Sequence, residues 1–100
     1  MADIKGVITG ELTIPPGSSS RDLVLPPNTF GLALLLAPHP AYREVAQHVA
    51  VIGQSNHQDT WSGELSYHVE FDSTADNPVI LTFRLITTDQ RIVPISYGGS

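Results

Sequence analysis

Four polar side chains alternate along one stretch of the sequence and could do acid–base or metal chemistry. Glu64, Ser66, His68 and Glu70 occupy every second position of WSGELSYHVEF. In a β-strand this spacing puts them on one face, with neighbouring side chains about 7 Å apart. His68 and Glu70 could share a metal ion or act as acid and base. A metal site needs three or four converging ligands, and no others are identifiable, so a solvated strand face is favoured.

The other histidines provide no metal-binding spacing. His39, His48 and His57 form neither a His-x-His pair with one another or with His68 nor a His-Glu-x-x-His run. Glu44 and His48 would lie one turn apart on a helix, which is more often a surface contact than a ligand pair. We therefore predict no metal and no cofactor.

Nucleophilic catalysis is not supported either. The run Gly53–His57 has histidine where the Gly-x-Ser-x-Gly elbow of α/β hydrolases needs its last glycine. Ser55, His57 and Asp59 alternate, but three residues so close in sequence cannot adopt the arrangement of a catalytic triad. We predict no catalytic residues and a protein that is not an enzyme.

The one tryptophan raises the possibility of a carbohydrate site. Sugar rings stack on exposed aromatic side chains with polar groups nearby, and Trp61 follows Asn56, His57 and Asp59 of a predicted polar loop over 54–59. However, Trp61 also shares the alternating phase of the apolar residues after it. Packing on the core is the favoured prediction, and a lectin-like site is the alternative.

Short apolar segments separated by proline and glycine predict a chain of strands. Ile4–Ile14 alternates with a period of two, and Pro15–Ser20 is expected to end that strand in a turn. Phe30–Ala37 is apolar on both faces, which favours a central strand covered on both sides. Four alternating positions predict the inward face of a late strand: Val79, Leu81, Phe83 and Leu85.

Residues 41–52 fit two structures. The spacing of Tyr42, Val45 and Val49 suits a helix, whereas the dense β-branched residues at the end of the segment suit a strand. We expect one short helix near 41–48, followed by a strand.

These segments predict an all-β fold. About six to eight strands would form a single antiparallel β-sandwich or jelly-roll-like domain over residues 1–100. A chain of this length has room for one core and no room for a large internal active site.

Composition narrows the partners. The formal net charge is −5, and the five Lys and Arg residues are scattered singly, so binding to nucleic acid or anionic membranes is not expected. No cysteine is present, which excludes disulfides. The first residues lack the pattern of a signal peptide, and no apolar run reaches bilayer length, so we expect a soluble protein made in the cytoplasm.

A low content of charge points to association. Charged residues make up 15% of the chain, against about 25% in typical soluble domains, and such a surface is poorly protected against contact with other subunits. We predict a non-enzymatic structural module that packs into a homo-oligomer or decorates a larger assembly. Virion decoration proteins and components of fibres or tails are examples of this class. The alternative prediction is a carbohydrate-binding module.

Overall fold

The computed structural model describes residues 4–91 and 95–98, with side chains from Gly6 to Arg91. Strands dominate that part of the chain, and two short 3-10 turns precede the fourth strand. The strands are β1 (Ile4–Ile14), β2 (Gly17–Leu25), β3 (Phe30–Pro38), β4 (Val49–Asp59), β5 (Leu65–Ser73), β6 (Val79–Thr88) and β7 (Ile95–Gly98). The 3-10 turns are Pro40–Tyr42 and Ala46–His48. No described helix has the length and apolar character that crossing a bilayer requires.

The described strands form two sheets, so the prediction of a mostly β chain is confirmed. The three-stranded sheet has the order β1-β6-β3, and the four-stranded sheet has the order β2-β5-β4-β7. Pairing is antiparallel except between β4 and β7, which run parallel. The prediction of a wholly antiparallel fold is therefore wrong at β7.

The core draws its side chains from both sheets. Its residues form a single cluster, with several partly buried apolar side chains packed around it. The four inward positions predicted for β6 are all buried, as are the alternate residues of β5: Leu65, Tyr67, Val69 and Phe71. The period-two pattern thus marks the inner face of both strands.

The apolar strand β3 lies at an edge and not in the centre. β6 occupies the middle of the three-stranded sheet, and the central position predicted for Phe30–Ala37 is wrong. The outer face of β3 is exposed, with Leu35 at 54%. The sequence of a strand with two apolar faces is the same whether the second face is buried by the same chain or exposed. The pattern of Phe30–Ala37 therefore could not show that its outer face is exposed.

Three predicted boundaries also differ from the structure. β2 begins at Gly17, so the turn predicted for Pro15–Ser20 is shorter than expected. Gly17 has a positive φ of 85°, and the chain turns there, directly after the two prolines. The predicted loop 54–59 is the second half of strand β4. The expected helix near 41–48 is two 3-10 turns.

One side-chain amide joins the two sheets at the open side of β3. The Gly31 N–H donates to Oδ1 of Asn56 at 2.7 Å, and Nδ2 of Asn56 donates to the Gly31 carbonyl at 2.9 Å. Both polar groups of this edge residue are satisfied in a buried position by a residue of β4. A Cβ on Gly31 would overlap the ring of Tyr67, so glycine is required for this approach.

On the other side of the core, an arginine joins β2 to β1. Nη2 of Arg21 donates to the Thr13 carbonyl at 2.5 Å and Nη1 donates to the Ser20 carbonyl at 2.7 Å. Both strands are at the edges of their sheets, so each open side of the core is bridged by a side chain.

We expect Asn56→Ala to reduce the free energy of unfolding by about 2–3 kcal/mol, because it removes two hydrogen bonds and leaves two buried backbone groups unsatisfied. Urea titration followed by circular dichroism measures this change. Ser55→Ala is the matched control, since Ser55 points to the outer face of the same strand, and should stay within about 0.5 kcal/mol of the wild type. Equal stabilities of the two variants would contradict the role assigned to Asn56.

Candidate functional site

The outer face of the four-stranded sheet carries an ion triad, which we define as Asp22, His68 and Glu70. Asp22 on β2 and His68 on β5 are register partners. Nδ1 of His68 lies 2.6 Å from Oδ1 of Asp22, and Nε2 lies 3.3 Å from Oε1 of Glu70. The imidazole is therefore held by a carboxylate at each of its nitrogens.

The next strand, β4, leaves room for the ion triad. Gly53 is the register partner of Glu70, and Ser55 is the register partner of His68. A Cβ on Gly53 would lie 3.0 Å from Oε2 of Glu70, closer than ordinary van der Waals contact. A side chain at position 53 would thus displace the Glu70 carboxylate.

The two carboxylates favour the protonated imidazole. The hydrogen bond with Asp22 raises the pKa of His68 above the usual 6.5; partial burial opposes this rise, and Glu70 adds to it. His68 therefore keeps its proton to a higher pH than a free histidine. Because the carboxylates are more than half exposed, solvent screens these ion pairs and limits their contribution to stability.

The geometry of the ion triad suits a structural link. A metal ligand or a general base needs an imidazole nitrogen with an available lone pair, whereas both nitrogens of His68 face carboxylate oxygens. Among residues 4–91 and 95–98, no three His, Asp or Glu side chains are placed to hold a metal ion. The ion triad connects the edge strand β2 to β5.

The solvated face predicted for β5 is present only in part. His68 and Glu70 lie on the outer face, but Ser66 is buried and Glu64 lies in the hairpin before the strand. Asp22 was not identified from the sequence as a partner. It comes into contact with His68 through the register of β2 on β5, which no local pattern contains.

Trp61 is exposed, and the prediction that it packs on the core is wrong. Its side chain is 83% exposed in the hairpin between β4 and β5. Gly63 has a positive φ of 75°, and the strand resumes only at Leu65, so the alternation of the sequence does not continue as a pleat through Trp61. The Trp61 N–H donates to Oδ1 of Asp59 at 2.9 Å, which fixes the backbone of the hairpin.

The candidate carbohydrate-binding residues do not share one surface. Asn56 is buried and binds Gly31, so its amide is not available to a sugar. His57 pairs in register with Ser66 on the strand, and Asp59 accepts a hydrogen bond from the backbone of Trp61. The predicted set thus reduces to Trp61 and Asp59, with His57 farther along β4.

A second surface, on the three-stranded sheet, is apolar although it is exposed. Val7 on β1 and Leu35 on β3 are 55% and 54% exposed. A groove of about 660 Å³ crosses this surface. We call it the apolar face and define it by the outward residues of the three-stranded sheet: Val7, Thr9, Glu11, Ala33, Leu35, Ala37, Ile80, Thr82, Arg84 and Ile86.

Comparison of this chain with protein-family models, with characterised proteins and with solved structures finds no match. The ion triad, the apolar face and the exposed Trp61 are therefore the features from which a function can be inferred. The ion triad links two strands of one sheet, while the apolar face offers exposed side chains whose burial would be favourable.

We expect Asp22→Asn to lower the pKa of His68 toward 6.5, because the largest cause of its rise is removed. The imidazole proton resonances of His68, followed by NMR against pH, give this value. Asp72→Asn is the matched control, since Asp72 is on the same face of β5 and has Ser18 as its register partner. A pKa of His68 that is insensitive to Asp22→Asn would contradict the hydrogen bond.

The same shift links stability to pH. Because the folded pKa of His68 lies above its unfolded value, the stabilisation is complete below about pH 6.5 and is lost as the pH rises through the folded pKa. The free energy of unfolding of the wild type should therefore fall as the pH rises from about 6.5 through the folded pKa of His68. The His68→Gln variant has no imidazole and should not show this part of the decrease.

Proposed function

We propose that this chain is a jelly-roll-like β-sandwich that works as a non-enzymatic assembly module. Its role is to pack against other copies or other subunits through the apolar face. Proteins, and not nucleic acids or membranes, are the partners that a chain of net charge −5 with scattered cations suits.

The strand order supports the jelly-roll-like sandwich. β1 pairs with β6 and β2 pairs with β5, while β3 adds to β6 and β4 adds to β5. Successive strands from β1 to β4 thus alternate between the sheets, as in a long hairpin rolled around a core. The single cluster formed by buried residues of both sheets supports face-to-face packing.

The exposure of the apolar face is the observation that carries the assembly function. Leu35 lies beside Arg84 in register, and Ala33 and Val7 flank Ile86 in the next outward row. Contiguous exposed apolar surface on a soluble domain marks an interaction site more often than chance, and its burial contributes about 25 cal/mol per Å². The low share of charged residues, 15%, fits a chain that buries part of its surface in an assembly.

The kind of assembly is inferred by analogy with other small β-domains and not from a sequence motif. A small β-domain with an apolar outer face fits a homo-oligomer or a subunit that decorates a larger particle, such as a virion decoration, fibre or tail component. The fold by itself is shared by many functions, so the apolar face is the feature that a test must address.

We expect Leu35→Glu to weaken self-association at least tenfold, because it places a charge in the centre of the apolar face. Light scattering coupled to size exclusion, over a range of concentrations, measures the mass. Val24→Glu is the matched control, since Val24 is 61% exposed on the outer side of the other sheet. Circular dichroism establishes that both variants are folded.

Two results would count against the proposal. A wild-type monomer at high concentration would remove the homo-oligomer. Dissociation by Val24→Glu together with unchanged assembly of Leu35→Glu would move the interface to the four-stranded sheet.

Carbohydrate binding is a second candidate function, favoured by the 83% exposure of Trp61. A flat indole at the tip of a hairpin, with the Asp59 carboxylate beside its backbone, resembles a platform on which a sugar ring can stack. The loss of Asn56 from this surface weakens the candidate, because a stacking residue needs hydrogen-bonding partners for specificity.

Under this second candidate, a bound sugar should shift the emission of Trp61, the one tryptophan of the chain. Titration with a panel of mono- and disaccharides tests it, and an unchanged spectrum throughout would dismiss it. Trp61→Ala should abolish binding while changing the free energy of unfolding by no more than about 0.5 kcal/mol, because an exposed side chain contributes little to the core.

A further inference from the structure

We infer that the apolar face docks on the same face of a second copy of this chain, with the copies related by a two-fold axis that crosses the strands. This inference rests on the assembly function proposed above and names its partner. The charges of the face, its groove and its pattern of large and small side chains support it.

The charges of the apolar face match those of a second copy. Its two formal charges are the Glu11 carboxylate on β1 and the Arg84 guanidinium on β6. Glu11 pairs in register with Thr82, and Arg84 pairs with Thr9, so the charges lie in neighbouring outward rows about 7 Å apart along the strand. A face with a single sign would repel its own copy, whereas this one carries both signs and has no net charge.

Two-fold symmetry turns these two charges into two ion pairs. In such an interface, every contact of residue i with residue j is repeated as j with i. An axis across the strands, between the rows of Thr82 and Arg84, places Arg84 of each copy over Thr82 of the other. The Arg84 guanidinium of each copy then lies beside the Glu11 carboxylate of the other. Within each chain, that carboxylate also lies 3.7 Å from Nε2 of His39.

The same axis places large side chains on small ones. Leu35 and Ala37 are outward neighbours on β3, in the rows of Arg84 and Thr82 respectively. The axis exchanges those two rows, so Leu35 of each copy packs on Ala37 of the other. The groove of about 660 Å³ is lined by residues of these two rows, so it lies at the place that the two-fold axis crosses.

The free edge of β3 is less suited to pairing with a second copy. At its start, the polar groups of Gly31 are already bonded to Asn56. At its end, Pro38 has no N–H to donate. A strand from a second copy could therefore pair only with the middle of β3. The apolar face is better suited to docking than this edge.

Charge reversal tests the inference. We expect Glu11→Arg and Arg84→Glu each to weaken dimer formation at least tenfold, because each produces two like-charge contacts. An equimolar mixture of the two variants should form a heterodimer in which both pairs are restored, and the double variant Glu11→Arg/Arg84→Glu should form a homodimer. Both side chains are exposed, so the variants should fold, which circular dichroism checks. Native mass spectrometry identifies each species.

The outcomes separate this inference from the proposed function. A wild-type oligomer that both single variants form unchanged would overturn the two-fold docking and leave the assembly function in place. Weakened single variants whose mixture does not associate would also overturn it, since the two charges would then act within one chain. A wild-type oligomer with an odd number of copies would overturn the inference, because a two-fold axis pairs the copies. A monomeric wild type would overturn it as well and would remove the homo-oligomer from the proposed function, leaving only assembly with other subunits.

Discussion

The hydrogen bonds between Asn56 and Gly31 are the constraint on which the arrangement of β3 depends. The ladder between β3 and β6 shifts register between Gly31 and Ala33, so one extra residue stands in β3 at this point. Because side chains alternate along a strand, that extra residue exchanges the two faces of everything after it. Leu34 therefore turns inward and Leu35 outward. Asn56 holds Gly31 against β4 at the start of this bulge, and the residue pattern after the bulge puts Leu35 on the apolar face.

The two outer faces of the molecule meet solvent in different ways. On the four-stranded sheet, polar side chains occupy the outer positions of β5 and one histidine binds carboxylates on two sides. On the three-stranded sheet, the outward rows are mostly apolar or hydroxyl-bearing, with one residue of each charge. The two outer faces thus differ in the chemistry that they present to solvent, although the four-stranded sheet also exposes Val24 and Ile52.

Local pattern was sufficient for the class of fold and for the inner faces of β1, β5 and β6. A period of two is a property of consecutive residues, so it can be read without knowing which strands pair. The central position expected for β3 failed because strand order depends on partners far away in the chain. The prediction that Trp61 packs on the core failed because the alternating pattern extends into a hairpin, where the positive φ of Gly63 interrupts the pleat of the strand. Asp22 joined the ion triad only through cross-strand register.

The central place of β6 has a consequence for how the chain acquires its structure. Ile4 pairs with Thr88, and both outer strands of the three-stranded sheet are hydrogen-bonded to β6, which follows them in the sequence. During synthesis, β1 and the leucine-rich β3 therefore lack their partner strand until β6 has left the ribosome. Such distant pairings make folding slow. Over that interval the apolar side chains and the unpaired edges of β3 are exposed, and such exposure makes a chain prone to aggregation.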